Sequence, residues 1–177
     1  MSVLNYRKEI ENISPYVPAK SIEKIKAEYD LDTIVKLSAN ENTMGCSPLA
    51  QKAIIDAIKN VYLYPDGNCT KVRKRLAKIH NIGEDQIIFG NGSFELIALI
   101  AETFINARDE SIIPEPTFKW YKVVTLAMGG KPITVSLKNN TIDLNEVKNK
   151  ITDKTKIIWL CNPNNFGFIS YFIFYLI

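Results

Sequence analysis

The chain has 177 residues, of which 46% are hydrophobic and 23% are charged. These proportions are typical of a folded globular protein, and with 8 glycines and 8 prolines they exclude a collagen-like or wholly disordered chain. The net charge of +3 comes from basic and acidic side chains scattered among one another, which favours a mixed solvated surface over a nucleic-acid-binding stripe.

Cysteine and histidine usage argues against two further classes. Cys46, Cys69 and Cys161 are far apart and lack C-x-x-C spacing, and His80 is the single histidine. We therefore expect neither a disulfide framework nor a metal site. The first ten residues carry charges where a secretory leader needs an apolar run, so we expect a cytoplasmic protein.

The first 40 residues predict an arm, a short helix and a loop. Residues 1–30 combine a proline-containing extended arm with a helix that Ser21 is suited to cap. Residues 33–37 are apolar and of strand type, and they lead into a polar loop.

Two amphipathic helices are predicted next. Apolar residues recur every three or four positions from Pro48 to Val61, which indicates a helix with one buried face. Residues 64–67 are typical of a turn, and a basic helix follows over residues 70–80.

From residue 86 onwards, short apolar runs alternate with amphipathic segments. Strands are predicted at residues 86–89, 111–114, 132–137 and 156–161, and helices at residues 94–104, 117–128 and 144–151. Four strands separated by helices predict an α/β fold with a mainly parallel sheet and flanking helices.

A glycine-rich turn opens the helix at residue 94. The glycines of Gly90-Asn91-Gly92-Ser93 let the backbone approach a ligand closely, and a helix N-terminus attracts a phosphate. The turn could also serve a dinucleotide, although Glu95 stands where that fingerprint has its third glycine. A tight turn without a ligand is the third interpretation.

Two further segments follow predicted strands, at the edge where open α/β sheets bind ligands. Phe118 lies in the first, where its ring could stack on a flat cofactor or pack on the next helix. The second contains the asparagines of residues 162–165, which could hydrogen-bond a planar ligand or form an ordinary turn.

These segments together resemble pyridoxal-phosphate-dependent aminotransferases of fold type I. The motifs are Tyr64-Pro65-Asp66-Gly67, Gly90-Asn91-Gly92-Ser93, Pro114-Glu115-Pro116-Thr117-Phe118 and Cys161-Asn162-Pro163-Asn164-Asn165. Residues 13–18 and 37–42 add a resemblance to the N-terminal half of the histidinol-phosphate aminotransferase family. The resemblance implies an arm and helix of the small-domain region (residues 1–30), an incomplete cofactor-binding large domain (31–165) and an aberrant apolar tail (166–177).

The resemblance also implies a site. Gly92, Ser93 and Phe94 would hold the phosphate of pyridoxal 5'-phosphate, Phe118 would stack on its ring, Asn165 would bond its 3-oxygen, and Tyr64 would reach the cofactor of the neighbouring subunit of a homodimer. Asn40 and Glu41, with the arm around Tyr16, would lie towards a small amino-acid or keto-acid substrate. The implied reaction is amino transfer from glutamate to imidazole-acetol phosphate in histidine biosynthesis, with no nucleic-acid or membrane partner.

Two departures from the family pattern are present. Phe94 stands where the family commonly has an acid, so a backbone amide contact would survive and a side-chain contact would not. After Asn165 the family continues Pro-Thr-Gly, whereas residues 166–177 are aromatic and β-branched, too short to span a membrane and typical of an aggregation-prone strand. We expect a shifted reading frame or a truncated gene.

In the resembled family, the Schiff-base lysine, its acidic partner and the substrate-binding arginine come after the segments that this chain shares. We therefore predict no catalytic residue in this chain and no turnover by this chain alone. We also predict a poorly soluble fragment, because a sheet without its later strands exposes an apolar edge. The alternatives are another aminotransferase or a related decarboxylase, a nicotinamide-binding Rossmann domain, and a noncatalytic partner of a full-length relative.

Overall fold

The computed structural model describes residues 6–11, 13–15, 20–37 and 39–164. The chain divides into two compact units, a sheet unit of residues 1–15 and 89–177 and a helical unit of residues 16–88. The tail over residues 166–177, for which an aggregation-prone strand is predicted, lies outside the described residues. Within the described ranges, no helix has both the length and the apolar character needed to cross a membrane.

The helical unit contains α1 (Ile22–Tyr29), α2 (Pro48–Ala57) and α3 (Thr70–His80), with short 3-10 helices at Ile58–Asn60 and Glu84–Gln86. Local signals set the helix starts. The Ser21 hydroxyl accepts from the Lys24 amide at 3.2 Å, as the sequence predicts for a cap. The Asp66 carboxylate of the predicted turn accepts from the Thr70 amide at 2.8 Å, and this contact fixes the first turn of α3.

The sheet unit contains α4 (Gly92–Phe104), β1 (Glu110–Glu115), α5 (Trp120–Ala127), β2 (Lys131–Ser136), α6 (Leu144–Asn149) and β3 (Thr155–Ile158), with a 3-10 helix at Lys8–Ile10. Across the described residues the strands form one sheet in the order β2-β1-β3, with both pairs parallel. Ile112 of β1 lies opposite Ile133 of β2 and Ile158 of β3. The prediction of a parallel α/β sheet is thus confirmed.

The core of the sheet unit lies on both faces of β1, because neighbouring residues of a strand point in opposite directions. Ile113 packs into a cluster with Ile97 and Ala101 of α4 and Val124 of α5. Ile112 packs on the other face with Val135 of β2 and Val147 of α6. Helices therefore flank the sheet on both sides, as predicted.

Two predicted strands are absent from the described residues. Residues 33–37 have no regular structure, and residues 86–89 contain the end of a 3-10 helix followed by an irregular segment. A strand needs a neighbour to share its backbone hydrogen bonds, and apolar sequence alone does not provide one. Here the carbonyl of Ile87 accepts from the guanidinium of Arg73 on α3 instead.

The predicted buried face of α2 is also wrong for the described residues. No residue of α2 is buried, and Leu49 and Ile54 of the predicted face are 81% and 59% exposed. The helix itself forms as predicted, since periodicity specifies an apolar face but not what covers it. The division of the chain at residues 30 and 165 stays a prediction.

Candidate functional site

The N-terminus of α4 has the geometry of an anion site. Gly92, its first residue, has a φ of +76°, in the left-handed region that favours glycine, and a Cβ there would meet nothing within 4 Å. The preceding Asn91 makes no side-chain capping hydrogen bond. First-turn amides lack partners within a helix, so the amides of Ser93 and Phe94 lie at a helix end to which the Asn91 side chain supplies no cap.

Glu95 holds the turn from within. Its carboxylate accepts from the backbone amide of Asn91 and, at 3.1 Å, from the Asn91 side chain. A Cβ on Gly90 would lie 2.9 Å from Glu95 Oε2 and from Leu96 Cδ2, so a larger residue at that position would displace the ends of these two side chains. Glu95 therefore braces the turn where a dinucleotide fingerprint has its third glycine, and no strand precedes the turn in the described chain.

Phe118 lies beside this helix start. It follows the carboxyl end of β1, and its ring centroid lies 6.5 Å from that of Phe94, edge to face. A second edge contact at 5.7 Å joins it to Tyr121 of α5. The Phe118 side chain is 39% exposed, so it both packs on the next helix and leaves aromatic surface for a flat ligand.

The side chain of Phe94 is engaged by Trp120. The two rings stack with centroids 3.8 Å apart and planes 16° apart. Trp120 Nε1 also donates to the Phe94 carbonyl at 2.9 Å. The sequence motifs gave no indication of this contact; the signal that could have found it is the pairing of an aromatic residue in the glycine turn with one at the start of the next helix.

Asn164 ties together the two loops at the carboxyl edge of the sheet. Its Nδ2 donates to the Pro116 carbonyl at 2.9 Å, and the buried Thr117 hydroxyl donates to its Oδ1 at 3.2 Å. The sequence predicts only that both segments lie at this edge, and Asn164 brings them into direct contact. Asn165, predicted to contact the cofactor, lies outside the described residues.

Tyr121, which contacts Phe118 edge to face, is a neutral phenol. Tyr121 is 9% exposed and its ring stacks on Trp159 with centroids 5.0 Å apart. Burial, with the adjacent Cys161 thiol, raises the pKa of Tyr121 above its ordinary value. The phenol therefore adds no charge to the site at neutral pH.

The remaining predicted site residues belong to the helical unit. Tyr64 is fully exposed, Asn40 has a φ of +53°, and Glu41 pairs with Lys36 at 2.6 Å. Their predicted roles stay predictions. The structure brings together Gly92, Ser93, Phe94 and Phe118, all in the sheet unit. In neither unit do the described residues group three or more possible metal ligands.

Residues 32–166 match the family of class I and II aminotransferases. The match covers more than half of the chain, and the chain belongs to this family.

Among its relatives is the histidinol-phosphate aminotransferase of Caldicellulosiruptor saccharolyticus, 48% identical over 160 residues, which cover 90% of this chain and 45% of that protein. Two solved histidinol-phosphate aminotransferases share the fold. The Sinorhizobium meliloti enzyme, crystallised with pyridoxal-5'-phosphate, superposes with a TM-score of 0.80 at 19% identity, over 93% of this chain and 44% of that one. The Clostridium acetobutylicum enzyme gives 0.63 at 28% identity, over 72% and 37%. The chain spans less than half the length of these relatives.

Proposed function

We propose that this chain forms part of the cofactor-binding region of a pyridoxal-phosphate-dependent aminotransferase, in which glutamate donates its amino group to imidazole-acetol phosphate in histidine biosynthesis. The observation that carries the proposal is the start of α4, which the Asn91 side chain does not cap, with Phe118 beside it, in a chain of the class I and II aminotransferase family. The identity with histidinol-phosphate aminotransferases supports the substrate assignment.

The residues at the start of α4 fit pyridoxal phosphate. The open, left-handed Gly92 leaves room for a phosphate group against the helix end. The exposed part of the Phe118 ring offers a surface for a pyridine ring. A bulky apolar ligand without an anionic group would use only the second of these features.

Each residue of the proposed site has a distinct role. The amides of Ser93 and Phe94, with the Ser93 hydroxyl, bind the phosphate, and Phe118 orients the ring by stacking. Asn165 bonds the 3-oxygen of the ring, and Asn40 and Glu41 lie towards the substrate. When bound, the cofactor supplies the electron sink that amino transfer requires.

We further propose a cytoplasmic homodimer in which Tyr64 reaches the phosphate of the neighbouring subunit's cofactor. The Schiff-base lysine is expected in the part of the family that this chain does not match. The 177 residues are therefore expected to bind the cofactor's phosphate and ring without turning over substrate.

Binding of pyridoxine 5'-phosphate tests the proposal, because this alcohol cannot form Schiff bases with surface lysines. We expect saturable binding that an excess of NAD does not displace. Ser93→Glu places a negative charge at the start of α4 and should weaken binding roughly tenfold or more by repelling the phosphate.

Thr103→Glu is the matched control, since it adds the same charge near the other end of the same helix. It should leave the affinity unchanged. Saturable NAD binding with no binding of pyridoxine phosphate would instead support the Rossmann alternative and reject the aminotransferase assignment.

A further inference from the structure

We propose that Trp120 is a positioning residue for the phosphate-binding turn at the start of α4, an inference that rests on the function proposed above. Trp120 is the first residue of α5 and lies 26 positions after Phe94. It holds Phe94 at two points, with its indole ring stacked on the phenyl ring and its Nε1 bonded to the carbonyl. One side chain thus fixes both the side chain and the backbone of a residue in the first turn.

This double contact constrains the direction of an amide. A carbonyl oxygen has two lone pairs, so the Phe94 carbonyl can accept from Trp120 and still serve the helix. With its ring and its carbonyl both held, Phe94 has little freedom left about its backbone angles. Its own N–H, which lies in the first turn, is therefore aimed in one direction. Phosphate recognition by amides depends on that direction, because hydrogen bonds weaken steeply when misaligned.

Trp120 also connects the two ends of the proposed site. Phe118, which would stack on the ring of the ligand, lies two residues before it and contacts Phe94 edge to face at 6.5 Å. The covalent structure of a pyridoxine phosphate fixes the span from ring to phosphate. Holding Phe94 and Phe118 in one aromatic cluster sets the matching span in the protein.

The first experiment separates the two contacts that Trp120 makes. Trp120→Phe keeps an aromatic ring but removes the donor, whereas Trp120→Gln keeps a donor but removes the ring. Binding of pyridoxine 5'-phosphate and of pyridoxine is followed by amide NMR titration, which reaches millimolar affinities. Each variant should weaken pyridoxine phosphate about fivefold to tenfold, the loss expected for one hydrogen bond or one aromatic pair. Pyridoxine, which lacks the phosphate, should bind the variants as it binds the wild type.

Phe118→Leu is the matched comparison within the same cluster. It should weaken both ligands, because ring stacking serves both. A Trp120 effect of equal size on both ligands, or on neither, would overturn the positioning role. If the wild type itself does not prefer pyridoxine phosphate to pyridoxine, the proposed function fails, and this outcome is distinct from a wild type that shows the preference and variants that retain it.

A ligand-free measurement protects the test against a variant that fails to fold. Hydrogen exchange of the amides of residues 96–98, which bond to the carbonyls of the first turn of α4, should be faster in Trp120→Phe than in the wild type, while exchange in β1 stays unchanged. Unchanged exchange of these amides would contradict the positioning role of Trp120, even if ligand affinity fell. Faster exchange throughout β1 would show general destabilisation and would also contradict it.

Discussion

The sheet unit and the helical unit have similar amphipathic sequence patterns, but their apolar side chains are buried to very different extents. Ile112 and Ile113 of β1 are 0% and 1% exposed, whereas Ile54 and Ile55 of α2 are more than half exposed. Ala77 is the only buried residue among the described residues of the helical unit. Burial of apolar side chains is the main source of stability, so the sheet unit holds most of the stabilising contacts that lie within a unit.

The difference shows what hydrophobic periodicity encodes. In both units it predicts where a helix forms and which of its faces is apolar. In the sheet unit β1 lies between α4 and α5 on one face and α6 on the other, and the pattern is satisfied within the unit. In the helical unit the apolar face of α2 is exposed, and the periodicity does not specify what would cover it.

The largest expected effect comes from truncating one isoleucine in each unit. Ile113→Ala removes buried methyl groups from the core and should cost about 2–5 kcal/mol of unfolding free energy. Ile54→Ala, on the exposed apolar face of α2, should change it by no more than about 0.5 kcal/mol. Urea denaturation followed by far-UV circular dichroism and tryptophan fluorescence measures both, and Trp120 and Trp159 report on the sheet unit.

An effect of Ile54→Ala as large as that of Ile113→Ala would break the comparison. It would mean that the apolar face of α2 is covered in solution. Dependence of the Ile54→Ala effect on protein concentration would then show that a second copy provides the cover.

Prediction from sequence succeeded where the determining contacts are local. The bounds of α3 agree with the predicted residues 70–80, because the turn before it and the left-handed Asn81 after it are read from neighbouring residues. The strand predicted at residues 86–89 is wrong because pairing depends on a partner distant in sequence. Apolar composition at that position is equally compatible with the irregular segment that forms.

The candidate site follows the same division. Gly92 and Phe118 were predictable, because a glycine turn opens a helix and loops after parallel strands share one edge. The contact between Trp120 and Phe94 was not, since it joins residues 26 positions apart through the packing of α4 on α5. Asn164 was noticed as part of a motif, but its bonds to the loop after β1 required the fold.

A buried pair of hydroxyl groups in the sheet unit gives the next largest expected change in unfolding free energy. Ser111 of β1 and Thr125 of α5 are both fully buried, with their hydroxyl oxygens 2.8 Å apart. Thr125→Val leaves the Ser111 hydroxyl without this partner and should cost about 1–3 kcal/mol. The double variant Ser111→Ala/Thr125→Val should recover part of the loss, because no unpaired hydroxyl remains.

Thr103→Val on α4 is the control for this pair. Thr103 makes the same bond to the carbonyl four residues earlier as Thr125 does, but it is exposed. Its replacement should change the unfolding free energy by no more than about 0.5 kcal/mol. Equal losses for the two threonines would show that burial does not decide the cost.

The smallest expected effect is on the pH dependence of unfolding, and it is tested with one carboxylate from each unit. Hydrogen bonding from the Thr152 hydroxyl, at 2.8 Å, lowers the pKa of Glu110 below its ordinary value of 4.5, and Lys131 at 3.5 Å adds to the shift. In the helical unit, hydrogen bonds from Thr70 and Asn68 lower the pKa of Asp66 below 3.8. The folded chain therefore binds both protons more weakly than the unfolded chain does.

A carboxylate whose pKa is lowered by folding stabilises the protein fully above its unfolded value and loses that contribution as the pH falls towards the folded value. Glu110→Gln should therefore lower the urea midpoint of tryptophan fluorescence at neutral pH, and its difference from the wild type should shrink below about pH 4.5. Asp66→Asn should leave that midpoint unchanged, because both tryptophans belong to the sheet unit. A fluorescence midpoint that responds equally to both substitutions would show that the two units unfold together, and the contrast in their burial would then not translate into separate stabilities.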